Sequence, residues 1–160
     1  MKITPALKGL ITAAVMIGIF FIIYSMGKDA DQRIQYFVYI AYILGIVWTV
    51  VAYSKSPAFI GKFGDIFGQG FRCFIVVTLL MALFYGIFNY AHPEFAEETS
   101  KAYREQLIDE KQTLSTDLES KVATFKKQYI TRLVSGAVFT YLLFGAAVTA
   151  AASAFLIRRK

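Results

Sequence analysis

The residues best suited to metal or acid–base chemistry are one histidine and the carboxylates that follow it. His92 is the single histidine of the chain, and Glu94, Glu97 and Glu98 lie within the next six residues. An imidazole with nearby carboxylates is a ligand set that divalent metals accept. A histidine at the outer end of an apolar run is more often a polar residue at the membrane interface. We therefore predict no metal site here.

Other motifs of catalysis are missing from the sequence. Cys73 is the only cysteine, so it has no partner for a disulfide within the chain and no Cys-rich cluster to join. We interpret it as a small apolar filler. The sequence has no nucleophile elbow, phosphate loop, zinc spacing or dinucleotide fingerprint. These observations predict a protein that is not an enzyme and that has no cofactor.

Four long apolar runs dominate the chain, at about residues 7–26, 34–53, 71–90 and 133–157. Each has roughly the 20 residues that an α-helix needs to cross a bilayer. None contains Asp, Glu or His, and the basic residues Lys8 and Arg72 lie at the beginning of their runs. The chain is 57% hydrophobic with a mean hydropathy of +0.53, above the roughly 45–50% of soluble domains. We predict an all-α membrane protein, a single domain of four transmembrane helices.

The apolar runs also limit the transport mechanisms to consider. Pumps and proton-coupled carriers are expected to carry an ionisable side chain within the membrane, and the middle of each run has none. Four spans are also too few for the usual inverted-repeat transporter in one chain. A transport role would therefore require an oligomer or a larger partner.

The basic residues predict the orientation. With four spans, both termini lie on one side, together with the loop after the second run. That side carries eight Lys/Arg and one acid, whereas the other carries nine Lys/Arg and ten acids. The acid-poor side includes the basic residues 158–160 directly after the last run, which favours the cytoplasm. We expect both termini in the cytoplasm, with the basic residues near anionic lipid rather than nucleic acid.

The segment from about 94 to 130 is the sizeable polar part of the chain and predicts an outer helical hairpin between spans 3 and 4. Pro93 marks the joint after the third span, and we expect the turn near residues 111–115. An apolar stripe recurs at helical spacing in the second half. It either packs against the first helix of the hairpin or docks a partner or the outer leaflet. This candidate partner surface comprises Leu114, Leu118, Val122 and Phe125.

The loop before the third span contains four glycines and an amphipathic pattern. Apolar residues of about 57–69 fall on one helical face and polar residues on the other: Phe59, Phe63, Ile66 and Phe67 against Lys62, Asp65 and Gln69. This pattern favours a short helix lying in the membrane interface. A re-entrant segment that lines a cavity is the alternative.

The fourth run is rich in small residues, which let helix backbones approach closely in lipid. They form two helical rows: Gly145, Thr149 and Ser153 in one, Ala146, Ala150 and Ala154 in the other. Because small residues surround most of this helix, we expect it to be the most enclosed span. Its neighbours are either the other three spans or a second protein, including a second copy of the chain.

The order of these parts resembles the domain-of-unknown-function family 4199, small four-span proteins of the bacterial inner membrane. The resemblance is carried by residues 1–5 (MKITP) before the first span, residues 67–72 (FGQGFR) entering the third, and the hairpin between spans 3 and 4. It implies a cytoplasmic-membrane location and a four-span fold, and supplies no activity and no catalytic residues. It further implies an accessory role beside a membrane-associated glycosyltransferase in lipid-linked sugar metabolism.

Taken together, the patterns predict a non-enzymatic accessory or scaffold subunit of an inner-membrane assembly. Its expected partners are the lipid bilayer and another membrane protein or itself. The alternative function is an oligomeric carrier of a lipid or small molecule.

Overall fold

The structure is a computed structural model that describes residues 3–27, 32–109 and 115–158. Throughout these ranges the regular structure is helical: α1 (Pro5–Ser25), α2 (Gln32–Ser54), α3 (Phe63–Ala91), α4 (Glu94–Asp109) and α5 (Ser115–Arg158). All but α4 contain a stretch long and apolar enough to cross a membrane. The prediction of an all-α membrane protein with four candidate spans is confirmed.

Local chemistry explains where α1 begins and ends. The Thr4 hydroxyl accepts a hydrogen bond from the Leu7 amide at 3.3 Å, and Pro5 occupies the first turn. Both features are typical of a helix start, where amides lack partners within the helix. After Ser25 the chain reaches Gly27 at φ 64°, a left-handed conformation that ends helices and favours glycine.

The third span differs from its prediction at its beginning. The segment expected to form a separate interfacial helix, at about 57–69, is divided between a turn and the first turns of α3. Gly61, at φ 81°, precedes the helix start at Phe63. The helix then continues without interruption to Ala91, because extending a formed helix is easier than nucleating a second one. Ile66, expected on a lipid-facing surface, is fully buried.

The chain divides into two compact units. Unit 1 comprises Met1–Met81 and Val138–Lys160, and unit 2 comprises Ala82–Ala137. Unit 1 therefore contains α1, α2, the first part of α3 and the end of α5. Unit 2 contains the end of α3, all of α4 and the first part of α5.

Within unit 1, α1 packs closely on both α2 and α3 through glycines. A Cβ atom added at Gly9 would lie 2.6 Å from the backbone oxygen of Cys73 on α3. One added at Gly45 on α2 would clash with the side chain of Thr12 on α1. Lipid provides no hydrophobic force between helices, so such close approaches supply the packing that holds them together.

The end of α5 packs on α2 and α3 within unit 1 in the same way. A Cβ atom at Gly70 on α3 would overlap the side chain of Thr149 on α5. In the other direction, a Cβ atom at Gly145 would overlap Tyr42 and lie 2.7 Å from the ring of Phe74. The Tyr42 hydroxyl also donates a hydrogen bond of 2.7 Å to the Tyr141 backbone oxygen. Helices α2, α3 and α5 therefore contact one another at glycines, which have no side chain to keep the helices apart.

The distribution of polar and apolar side chains in unit 1 is that of a membrane domain. Three of its buried threonines, Thr12, Thr49 and Thr78, donate to carbonyl oxygens four residues earlier in their own helices, at 2.8–2.9 Å. Large apolar side chains instead cover its outside, including Leu10, Val15, Ile22, Leu44, Leu79 and Phe144. Such a surface is stable against hydrocarbon rather than water.

The prediction that the fourth span is the most enclosed is wrong for the single chain. Buried residues make up 22% of its most apolar stretch, against 33–39% in the other three. Only one side of α5 meets its neighbours, and the row Gly145, Thr149 and Ser153 lies on that side. Composition alone did not show which side of α5 is buried. Small residues allow another helix to approach closely, but they do not determine on which side it packs.

Candidate functional site

The hairpin of unit 2, formed by α4 and the part of α5 up to Ala137, runs antiparallel. Tyr103 of α4 stacks on Phe125 of α5, with ring centroids 4.3 Å apart and planes at 14°. Residues nearer the end of α4 contact residues nearer the beginning of α5. This ring pair contributes about 0.5–1.5 kcal/mol beyond the area it buries.

Two ion pairs join the helices of the hairpin. Arg104 Nη2 lies 2.6 Å from Glu119 Oε1, and Lys126 Nζ lies 2.8 Å from Glu97 Oε1. The second pair is seven residues from the first in both helices, which is two turns of each. All four side chains are about half exposed or more. Each pair alone therefore adds little to stability, because water screens exposed charges, but together the two pairs select one alignment of the two helices.

The second ion pair changes the electrostatics of its carboxylate. The hydrogen bond from Lys126 and its positive charge hold the pKa of Glu97 below its ordinary value, with a smaller contribution from Lys101. Glu97 is thus ionised in its pair with Lys126 over a wider pH range than an isolated glutamate.

The predicted partner surface lies partly inside the hairpin. Leu118, Val122 and Phe125 are half-buried, and Leu114 lies outside the described residues. Phe125 packs on Tyr103, so this residue of the stripe lies within the hairpin. Docking of a partner on the stripe stays a prediction.

The hairpin also packs on the last turns of α3 within unit 2. Tyr129 donates to the Asn89 side-chain oxygen at 3.4 Å, while the Asn89 amide donates to the Tyr85 carbonyl at 2.9 Å. A Cβ atom at Gly86 would lie 3.7 Å from Val134. This contact explains how α5 lies beside α3 at the base of the hairpin.

His92 forms part of the joint between α3 and α4. Its ring stacks on Phe88 at 4.3 Å, and its Nδ1 lies 2.9 Å from the Phe88 carbonyl oxygen. Because a carbonyl oxygen only accepts, this contact requires the hydrogen on Nδ1. Across the described ranges, no three His, Cys, Asp or Glu side chains lie together as metal ligands. The structure does not gather His92 and the following glutamates into one site.

The two small-residue rows of α5 have different surroundings. Gly145, Thr149 and Ser153 are buried, whereas Ala146 and Ala150 are half-buried and Ala154 is exposed. The hydroxyls of Thr149 and Ser153 are both fully buried without a hydrogen-bond partner among the described residues. A buried hydroxyl without a hydrogen-bond partner lowers the stability of the fold. Apolar side chains of similar size would therefore fit these two positions at least as well.

The sequence did not predict that Lys8 is buried beside an aromatic ring. Lys8 is 8% exposed, and its Nζ lies 5.2 Å from the centroid of the Trp48 ring. The sequence shows it only as one basic residue at the start of a span. Its partner lies forty residues later on another helix, so no local pattern links the two.

A family model described as "Protein of unknown function (DUF4199)" matches residues 8–159 of the chain. The match covers nearly the whole sequence. The chain belongs to the DUF4199 family.

Membership of DUF4199 confirms the family suggested by the resemblance. The two other comparisons, with the curated proteins and with the solved structures, returned no match. The family description assigns no activity to DUF4199 proteins, so the function of this one is argued from its own residues.

Proposed function

We propose that this DUF4199 protein is a non-enzymatic scaffold subunit of the bacterial inner membrane, and that its hairpin binds a partner membrane protein. The observation that supports this is the fixed register of the hairpin, set by two ion pairs and by the stacking of Tyr103 on Phe125. A surface that is ordered before binding loses less conformational entropy when a partner docks.

The partner class follows from the family resemblance and not from a contact in the structure. We propose a membrane-bound glycosyltransferase, for which the DUF4199 protein acts as an accessory subunit. The apolar exterior of unit 1 is suited to contact either lipid or a transmembrane helix of such a partner.

The proposed orientation places both termini in the cytoplasm and the hairpin on the opposite side of the inner membrane. Its support is the run of basic residues at 158–160, directly after the last span, and the basic residues packed into the short segments on the same side. Replacing Cys73 by Ala leaves a chain without cysteine. In that background Ala123→Cys, on the exposed side of the hairpin, should react in intact cells with a membrane-impermeant maleimide, whereas Lys55→Cys should not. The reverse pattern would invert the proposed topology.

The test of the scaffold function uses charge reversal. The variant Arg104→Glu with Lys126→Glu places like charges at both pairs, and adding Glu119→Arg with Glu97→Lys restores opposite charges. The three proteins are purified in a mild detergent and their stoichiometric partners are identified by mass spectrometry. We expect the partner with the wild type, its loss with the first variant and its return with the second.

Two outcomes would overturn the scaffold proposal. One is a partner retained equally by all three proteins, which would show that the hairpin register plays no part. The other is a homo-oligomer with no second protein, which would favour the alternative of an oligomeric carrier.

A further inference from the structure

A buried cation near the beginning of α1 has no anionic partner among the described residues. Lys8 is 8% exposed and is the one charged side chain among the buried residues that the structure describes. Its Nζ lies 5.2 Å from the centroid of the Trp48 ring, an interaction that leaves the charge in place. The ion pairs of the described residues both lie in the hairpin. An ammonium removed from water without a counter-ion is unfavourable, so this position favours an anion.

The acidic residues of unit 1 lie far from Lys8. Asp65 is the one acid in the described ranges of this unit, and it is eight residues before Cys73, about 12 Å along α3. The thiol of Cys73 donates toward a backbone carbonyl and carries no charge. Asp29 and Asp31 follow α1 in the sequence, and the last residue of α1 is about 25 Å along the helix from Lys8. The other charged residues in the described ranges of unit 1 are basic: Arg33, Lys55, Lys62, Arg72 and Arg158.

The beginning of α1 adds to the positive charge at this position. Lys8 is the fourth residue of α1, and helical side chains lean toward the N-terminus of their helix. The amides of the first turn give that end a partial positive charge, which is unfavourable for a cation and favourable for an anion. An anion beside Lys8 would therefore be attracted by the ammonium and by the helix start together.

The ammonium of Lys8 is accessible to a ligand. Within the described ranges, the fully enclosed side-chain polar atoms without a hydrogen-bond partner are the hydroxyls of Ser56, Thr149 and Ser153. The Lys8 Nζ is not one of them, although it also has no acceptor among these residues, so it retains some accessible surface. Trp48 is 43% exposed. Its ring therefore extends from the buried ammonium to the outer surface of unit 1.

The level at which Lys8 lies in unit 1 is that of a membrane interface. Gly9 packs against Cys73 of α3. The preceding residue, Lys8, lies beside Trp48 of α2, so the three helices meet at one level. Arg72, next to Cys73, is exposed at this same level. Tryptophan and basic side chains are typical of the depth of the lipid head groups.

Apolar side chains continue from this level toward the middle of the spans. Ile11 follows Lys8 by about one turn of α1, and Leu44 precedes Trp48 by about one turn of α2. Both side chains are exposed, as is expected of a surface in contact with hydrocarbon. A ligand with an anionic group at the ammonium and hydrocarbon along these side chains is an anionic phospholipid.

We propose that Lys8 and Trp48 form a binding site for the phosphate group of an anionic phospholipid, between the first turns of α1 and the last turns of α2. The ammonium has three hydrogens to donate, and phosphate oxygens accept strong, charge-assisted hydrogen bonds. The carboxylate of a partner helix would also neutralise Lys8, but the exposed apolar surface and the interfacial level favour a lipid. The site does not rest on the scaffold function, because it needs only described residues of unit 1.

The experiment titrates the full chain in a mild detergent with phosphatidylglycerol or with phosphatidylcholine, and native mass spectrometry counts the bound lipid. Lys8→Gln removes the charge of the site, whereas Lys8→Arg keeps it. The control variant Arg72→Gln removes an exposed cation at the same level, so it changes the net charge as Lys8→Gln does. Helical circular dichroism confirms that each variant is folded.

We expect the wild type to bind phosphatidylglycerol more tightly than phosphatidylcholine. Lys8→Gln should weaken phosphatidylglycerol binding by about tenfold or more, the effect of losing hydrogen bonds between charged groups. Lys8→Arg should retain most of the affinity, because arginine also donates to phosphate. Arg72→Gln should weaken binding by about fivefold at most, the general effect of one charge near the head groups.

Three results would overturn the lipid site. The first is a folded Lys8→Gln variant that binds phosphatidylglycerol as the wild type does. The second is an equal loss in Arg72→Gln, which would show a general effect of surface charge. The third is a wild type without preference for phosphatidylglycerol, which decides the question even if Lys8→Gln does not fold and leaves a partner's carboxylate as the counter-ion.

A competition with inorganic phosphate separates a lipid from a soluble ligand. Phosphatidylglycerol bound to the wild type should resist an excess of inorganic phosphate, because its hydrocarbon also contacts the protein. Complete displacement by phosphate would overturn the assignment to a lipid. Partner capture in the charge-reversal experiment depends on residues of the hairpin, so failure of one proposal is distinguishable from failure of the other.

Discussion

Lys126 donates to Glu97 across the hairpin, with 2.8 Å between Nζ and Oε1. The pair of Arg104 with Glu119 lies seven residues away in both helices. A shift of α4 along α5 by one turn would separate both pairs at once. Their equal spacing therefore fixes the register, although each pair alone adds little to stability.

The ionisation of Glu97 should depend on Lys126. In the folded protein the pKa of Glu97 is lowered by the hydrogen bond and charge of Lys126. A carboxyl with a lowered folded pKa adds stability above its unfolded pKa, and this stability is lost as the pH falls through the folded value. The hairpin should therefore loosen as the pH falls below the ordinary pKa of a glutamate and through the lower folded pKa of Glu97.

Nuclear magnetic resonance titration of the Glu97 carboxyl tests this dependence. The variant Lys126→Gln should raise the pKa of Glu97 toward its ordinary value. The neighbouring substitution Lys127→Gln should leave the titration where it is, since Lys127 is not among the causes of the shift. Identical titrations of wild type and Lys126→Gln would contradict the pairing.

The sequence predicted the spans because their length and apolarity are local properties. It also predicted the hairpin, since Pro93 and the apolar stripe at Leu118 and Val122 are local signals. It did not predict the contact of Lys8 with Trp48 or the enclosure of only one row of α5. These depend on which helix faces which, and in lipid many such arrangements have similar apolar contacts.

Glycine is required at position 70 and not at position 68, two residues earlier on the same helix. A Cβ atom at Gly70 would clash with Thr149 and lie 3.0 Å from Val50, whereas one at Gly68 would meet nothing within 4 Å. Gly70→Ala should therefore destabilise unit 1 by about 1–3 kcal/mol through overpacking. Gly68→Ala should be neutral or stabilising by up to about 1 kcal/mol, because alanine favours the helix.

Thermal unfolding in detergent compares these two glycine variants. A lower midpoint for Gly70→Ala together with an unchanged or higher midpoint for Gly68→Ala is the expected result. Equal midpoints would show that α3 and α5 are not in close contact at Thr149.

The buried hydroxyl of Thr149 should reduce stability. It has no hydrogen-bond partner among the described residues, whereas the equally buried Thr78 donates to the Phe74 carbonyl at 2.8 Å. Thr149→Val removes the unpaired group and should stabilise the protein by about 1 kcal/mol. Thr78→Val removes a hydroxyl that is already hydrogen-bonded and should therefore not stabilise the protein. If Thr149→Val is instead the more destabilising of the two in thermal unfolding, its hydroxyl is hydrogen-bonded in the native protein.

Lys8 should influence the fluorescence of the protein, because Trp48 is its single tryptophan. The Lys8 Nζ lies 5.2 Å from the centroid of the Trp48 ring, and a charge this close and partly shielded from water changes the energy of the excited indole. Lys8→Gln should therefore shift the emission maximum of Trp48. Lys8→Arg should keep the emission near that of the wild type, since arginine retains the charge over the ring. Lys55→Gln, at an exposed position on the loop after α2, is the matched control. Emission spectra in one detergent compare the four proteins, and a Lys8→Gln spectrum identical to that of the wild type would show that α1 and α2 do not bring these two residues together.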